Sequence, residues 1–211
     1  MVQLIHSGDN IEKIQNILKV AQRRFGIYGL EKTTMKEIAV ELGMSKASLY
    51  YYYPDKEHLF KAVVFEEQEI YLNLVEKTIN QIEDPALLLR KFIKMNLDYF
   101  KTFFNLSRLR LEEFRNMKPL LADMLLDFRK KEIELTQQLL IKGIDKKIFY
   151  ITDTYETASI LLESIRGLRS LIIHNKEFIY IDDEDYTLLE KKLSSLSDIF
   201  IRALMCPIKQ N

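Results

Sequence analysis

TTMKEIAVELGMSKASLYYYYPDKEHLF, residues 33 to 60, decides how this chain folds. Thr34, Met35, Lys36 and Glu37 have the form of a capping box, in which the threonine hydroxyl and the glutamate carboxylate each engage a backbone N–H, so a helix is predicted to start at Thr34. Ile38, Ala39 and Leu42 give it one apolar side, and Gly43 is placed to take the left-handed conformation that closes a helix end at little steric cost. Ser45 is a second N-cap only two residues on. Pro54 stops the helix that follows, and Asp55 is placed to cap a third, which turns Leu59, Phe60 and Val63 inward. The reading is short helix, glycine turn, short helix, then a longer one.

Outward from this stretch the helical period persists. Ile11, Ile14, Leu18, Ala21 and Phe25 fall on one face of a helix of about four turns, which Gly26 and Gly29 are expected to end. After residue 56, helices are predicted at about 56–82, 85–104, 106–116, 119–143, 152–175 and 185–205. The breaks between them are Asp84-Pro85, the Asn105 region, Pro119, the connection from Gly143 to Thr152, and an acidic loop from Ile181 to Asp185 that should cap the last helix. Proline and glycine are scarce, with four and six in 211 residues. The fold class expected is therefore all-α.

Composition narrows the function. Thirty-one Lys and Arg balance 31 Asp and Glu, which argues against a protein that coats nucleic acid without regard to sequence, since that requires many cation–phosphate contacts. Between residues 19 and 56, however, seven bases face four acids, so a small basic surface is available. A single cysteine, Cys206, excludes an internal disulfide and a Cys-rich metal site, in keeping with a cytoplasmic protein. The start MVQLIHSGDN has no signal-peptide pattern, and no apolar run approaches the ~18–20 residues of a spanning helix, so no membrane partner is expected.

Two short helices joined through a glycine turn suit the DNA major groove, which admits one helix while its partner braces across the backbone. The second is the candidate reader. Lys46, Ala47, Ser48, Tyr50 and Tyr51 begin or flank its exposed side, whereas Leu49 and Tyr53 should face the core. Small side chains at 47 and 48 let the backbone approach base edges, and the hydroxyls of Tyr50 and Tyr52 can donate to phosphate oxygens. Four consecutive tyrosines point all round a helix, so they cannot all be core. The helix starts at Thr34 and Asp55 offer further N–H donors.

Ile11 to Val64 resembles the DNA-binding domain of the tetracycline-repressor (TetR) family. The resemblance rests on a basic first helix ending in Phe25 and Gly29, then Thr34, Ile38-Ala39, Gly43, Ser45, Leu49-Tyr50, Tyr52-Tyr53, Lys56 and Leu59-Phe60. It implies phosphate contacts at Thr34, Tyr50, Tyr52 and Lys56, and positions at or near base edges for Lys46, Ala47, Ser48 and Tyr51. Lys36 and Ser45 complete the candidate DNA-binding set. Ala47 stands where a glycine is common and Tyr53 where phenylalanine is usual. The tail before Ile11 lacks the basic arm that some members insert in the minor groove.

The resemblance further implies an N-terminal three-helix helix-turn-helix domain, residues 9–56, and a larger helical ligand-binding and dimerisation domain, residues 57–211. For a pocket, Met95, Tyr99, Phe103, Phe114, Met124 and Phe128 supply adaptable apolar surface, with Arg110 to orient a polar end; the same spacing also suits plain core. For a dimer interface, Ala158, Leu162, Ile165, Gly167 and Leu168, with Leu196 and Phe200 of the last helix, combine small residues with apolar area. An ordinary buried helix would carry the same residues.

Enzymatic readings find little support. There is no glycine-rich phosphate loop, and His6, His58 and His174 are scattered. Asp55 and His58 are better explained by a helix cap than by a metal, and Asp182 to Asp185 lacks the spacing of a calcium loop. No catalytic residue, metal or cofactor is expected. The expected function is a homodimeric, ligand-responsive transcriptional regulator, most simply a repressor released from a palindromic double-stranded operator by a small-molecule effector. The alternative is a helical small-molecule or lipid-binding protein whose helix-turn-helix does not bind DNA.

Overall fold

A computed structural model describes residues 2–105, 111–174 and 181–207, with side chains described from residue 10 and not for 103–105, 111–116, 118 and 173. The described residues form helices α1 (Val2–Tyr28), α2 (Met35–Glu41), α3 (Lys46–Tyr52), α4 (Lys56–Gln81), α5 (Pro85–Asn105), α6 (Leu111–Asp145), α7 (Thr154–Ile173) and α8 (Asp183–Leu204), with no strand among them. None is long and apolar enough to cross a membrane. The chain gathers into two compact units. One is built on the residues up to Glu67 together with the 102–122 stretch, and the other on Gln68–Lys101 and the helices from Asp123 onward.

The caps fall where the side chains dictate. Thr34 and Glu37 form the capping box of α2, Ser45 accepts the Ser48 N–H at the start of α3, and Asp182 forms a capping box with Asp185 on α8. Asp153 caps α7 by accepting the Glu156 N–H at 2.9 Å. The core of the first unit joins Ile17, Ala21 and Phe25 of α1 to Ile38 and Ala39 of α2, Leu49 of α3, and Leu59, Phe60 and Val63 of α4. Phe25 and Phe60 meet edge to face with ring centroids 5.5 Å apart, a geometry that adds about 0.5–1.5 kcal/mol to the burial itself. In the second unit Leu88, Phe92 and Leu97 of α5, Leu139 and Leu140 of α6, Leu161 and Ile165 of α7, and Leu189 and Leu193 of α8 are buried.

Four expectations are corrected. The first helix starts at Val2 and runs through Gly26, ending before Gly29, which has φ +82°. Its buried stripe begins at Ile17, leaving Ile11 58% exposed. Pro119, expected to open a helix, lies inside α6; it deprives one carbonyl of an N–H partner but does not interrupt so long a helix. Gly143, expected to begin a connection, is also helical, and the reversal comes later at Lys147, φ +59°. The role of Gly143 is space. A Cβ there would lie 2.0 Å from Cδ2 of Phe149, a side chain that is itself fully buried.

Gly143→Ala should therefore force the Phe149 ring to move and lower the unfolding free energy by about 1–3 kcal/mol, the range for overpacking a filled site. A urea midpoint equal to that of the parent would show that the ring is not held there.

Candidate nucleic-acid interface

The candidate reader stands on one buried residue. Of α3 only Leu49 is buried, at 0% exposure, while Tyr51 is 85% and Tyr50 40% exposed. Lys46 and Ala47 are exposed, and Ser48, Tyr52 and Tyr53 are partly covered. Tyr53 was expected in the core but is half-buried and extended, φ −136°, as the C-cap of α3, because Pro54 pulls the chain out of the helix.

The turn before α3 sets its direction. Gly43 has φ +65°, its N–H bonds the Val40 carbonyl at 3.1 Å, and the Met44 N–H reaches back to Ala39 at 3.0 Å. This pair of bonds is the Schellman closure of a helix, which needs a left-handed residue at the glycine position. Nothing lies within 4 Å of where a Gly43 Cβ would sit, so backbone conformation and not space demands glycine. Immediately afterwards the Ser48 N–H donates to Ser45 Oγ at 3.0 Å, and the two hydroxyls lie 2.9 Å apart.

Ion pairs clamp α2 to α1. Arg24 bonds Glu41 at 2.8 Å and approaches Glu37 at 3.6 Å, and Arg23 also bonds Glu41. Two of the basic residues counted above are therefore engaged internally. Among the described residues Lys36 and Lys46 carry no ion pair, and the Lys46 ammonium lies 5.4 Å from the Tyr50 ring centroid. Lys56 donates to the Glu31 carbonyl at 3.3 Å, which ties α4 to the loop before α2. Thr34 is exposed, with its hydroxyl donating to Glu37 at 2.8 Å. Asp55 accepts the His58 N–H at 2.8 Å and the His58 ring at 2.7 Å, the cap expected at the start of α4.

Sequence reasoning omitted Lys13. Its ammonium lies 5.8 Å from the centroid of Tyr52, which brings a cation of α1 beside the aromatic end of α3. Only its position off the apolar stripe of α1 marked it beforehand.

The pocket residues divide. Tyr99 and Phe128 meet at 5.5 Å, and Tyr71, not anticipated, stacks on Tyr99 at 4.5 Å and lies 5.9 Å from Phe128. Met95 and Met124 are buried. Arg110 lies outside the described residues, as do the side chains of Phe103 and Phe114. Of the interface residues, Ala158, Leu162 and Ile165 are 0% exposed within their own subunit and so cannot present a face to another. Their small or apolar side chains suit an interface, but the phase of the helix turns them inward. Gly167 is exposed, and Leu168, Leu196 and Phe200 are partly covered.

A model of the bacterial regulatory proteins of the tetR family matches residues 17–63. A transcriptional regulator from Cytophaga hutchinsonii ATCC 33406, known from its crystal structure, is 38% identical, with a TM-score of 0.85 over 92% of this chain and 99% of its own. The chain belongs to the TetR family. The HTH-type transcriptional regulator RutR of Escherichia coli K12 is 32% identical over 113 residues, 54% of this chain and 53% of its own length. The match thus spans about half the length of that curated relative. An HTH-type regulator of Bacillus subtilis, YxaF, is 23% identical over 88% of this chain and 97% of its own.

The clamp has a pH signature. Hydrogen bonds from Thr34 hold Glu37 below the usual carboxylate range, those from Arg23 and Arg24 do the same for Glu41, and those from His58 for Asp55. Glu67 works in the opposite sense, raised by burial and by Glu66. A depressed carboxylate stabilises the fold above its unfolded value, about 4, and loses that contribution as pH falls through its folded value. Thermal stability should hold from neutrality to about pH 5 and fall below it. Glu41→Gln should be less stable at pH 7 and lose less on acidification; identical pH profiles for parent and variant would contradict the clamp.

Proposed function

We propose that this chain is a homodimeric, ligand-responsive, sequence-specific DNA-binding regulator acting in the cytoplasm as a repressor. Residues 9–56 would read DNA, and residues 57–211 would dimerise and bind a small-molecule effector. The observation that carries this reading is the outward face of α3: Lys46, Ala47, Tyr50 and Tyr51 exposed above a single buried anchor, Leu49. With this face in a major groove, Lys46, Ala47, Ser48 and Tyr51 lie at base edges. Thr34, Lys36, Tyr50, Tyr52 and Lys56 then meet phosphates, while Ser45 caps the reading helix. Lys13 is the addition that the Tyr52 contact supports.

For the dimer, α7 offers a stripe at helical spacing, Ile160, Ser164, Gly167 and Leu171, with Ile160, Gly167 and Leu171 exposed. On α8, Ile199 is exposed beside the partly covered Leu196 and Phe200. A second copy applied two-fold on these surfaces would bury them, and two reading helices would then select a near-palindromic operator. Helix α4 runs through both units, so an effector bound in the second would act on the first along it. Coupling in such systems is typically about 1–3 kcal/mol, roughly 5–150-fold in operator affinity.

Selection of the full-length protein against random duplexes should enrich an inverted repeat. On that repeat Lys46→Ala should weaken binding and reduce the salt slope by about one, whereas Ser48→Ala should chiefly change base preference. No enrichment above background would leave the protein as a helical ligand-binding protein. Gly167→Arg should give monomers in sedimentation, because a Cβ at Gly167 meets nothing within 4 Å and the subunit itself tolerates the change. A persisting dimer would place the interface elsewhere.

A further inference from the structure

The second unit holds a polar cluster around the buried Asn96, Glu132 and Tyr71. Asn96, fully buried, donates to Glu132 at 2.6 Å and to the Tyr71 hydroxyl at 3.0 Å, and Arg166 bonds the other Glu132 oxygen at 2.8 Å. The Asn96 Oδ1 atom is buried with no partner among the described residues. Beside this network the Arg169 guanidinium lies 4.7 Å from the centroid of the Phe100 ring and forms no ion pair among the described residues. Burial pulls its pKa below the ordinary arginine value, against the opposing charge of Glu132.

Counting charge settles what is missing. Among the described residues Glu132 carries one negative charge and is paired with Arg166; Arg169, partly covered, adds a second positive charge beside them. A partly desolvated cation with no ion pair of its own gains most from a partner of opposite sign with hydrogen bonds to match. The planar guanidinium fork pairs best with a bidentate oxyanion. Next to it Tyr99 and Phe128, stacked or tilted against Tyr71, are only partly covered, and ring faces of this kind favour a flat apolar body.

We propose that the effector of this regulator is a monoanionic aromatic carboxylate, its carboxylate on Arg169 and its ring against Tyr99 and Phe128, with the Asn96 Oδ1 atom accepting a hydrogen bond from a donor on the same molecule. The assignment rests on the effector-binding reading given above and narrows it to a chemical class. A single net positive charge among the described residues of the cluster favours a monoanion over a phosphate dianion. Arg169 is the anchoring residue, while Arg166 and Asn96 hold Glu132 and so keep the second guanidinium free.

The test uses the full-length dimer and three probes, benzoate, 2-naphthoate and salicylate, each beside its neutral amide. Calorimetry reports binding of every probe, and in a chain with no tryptophan quenching of tyrosine emission, corrected for the absorbance and emission of the aromatic probes, reports it independently. At least one carboxylate should bind at least about tenfold more tightly than its amide, the margin expected of a charge-assisted bidentate contact. Arg169→Gln should remove that margin and leave amide binding unchanged, and Arg169→Lys should restore part of it. Calorimetric melting checks that each variant is folded. Equal binding of acid and amide to the parent, a margin surviving in a folded Arg169→Gln variant, or no binding of any carboxylate overturns the proposal. If operator selection succeeds while the carboxylates fail, the regulator reading stands and the effector class falls. Carboxylate binding without enrichment of any duplex does the reverse.

Discussion

The left-handed turn at Gly43, followed directly by the Ser45 cap, is the constraint on which the rest of the first unit depends. It closes α2 with two backbone bonds and opens α3 within four residues. A helix of seven residues cannot sustain itself on propensity, because nucleation is unfavourable and the turn count is low. Here its start is satisfied by a serine, its end is stopped by Pro54, and one leucine fixes its rotation. With so few attachments, most of the remaining side chains of α3 are released from packing, and four of them stand in solvent. That is the physical origin of an outward surface made of Lys46, Ala47, Tyr50 and Tyr51.

The same economy explains why the charge arithmetic understates the surface. Arg23 and Arg24 are consumed by Glu41 and Glu37, so the cations they contribute to the count serve the α1–α2 clamp. Lys19, Lys32, Lys36 and Lys46, with Lys13 near Tyr52, are left outward without an ion pair among the described residues. A near-neutral chain can thus present a local basic face when its acids are spent on fixing the frame.

How much of this was legible beforehand depended on how local the signal is. Caps and turns were legible, because Thr34 with Glu37, Ser45, Asp55 and Asp182 act within three residues of their partners. Features that arise from packing were not. Ile11 carries an apolar side chain that stays 58% exposed, and Gly143 yields space to a ring six residues away. Pro119 breaks a rule that a helix of 35 residues can absorb. On α7, choosing small residues for an interface ignored phase: Ala158, Leu162 and Ile165 fall at helical spacing on the inward side, whereas Ile160, Gly167 and Leu171 fall outward. The polar cluster of Tyr71, Asn96, Glu132, Arg166 and Arg169 was the least legible feature. Its members are spread over three helices besides α4, and no spacing in the chain connects them.

The account places the front of α3 against base edges, and cross-linking reads that contact directly. With a benzophenone side chain incorporated in place of Tyr51, irradiation of the protein on its selected inverted repeat should yield adducts at bases within each half-site, and the same group at Phe65 should yield none. Adducts absent from position 51, or no greater than those from position 65, would contradict the central claim.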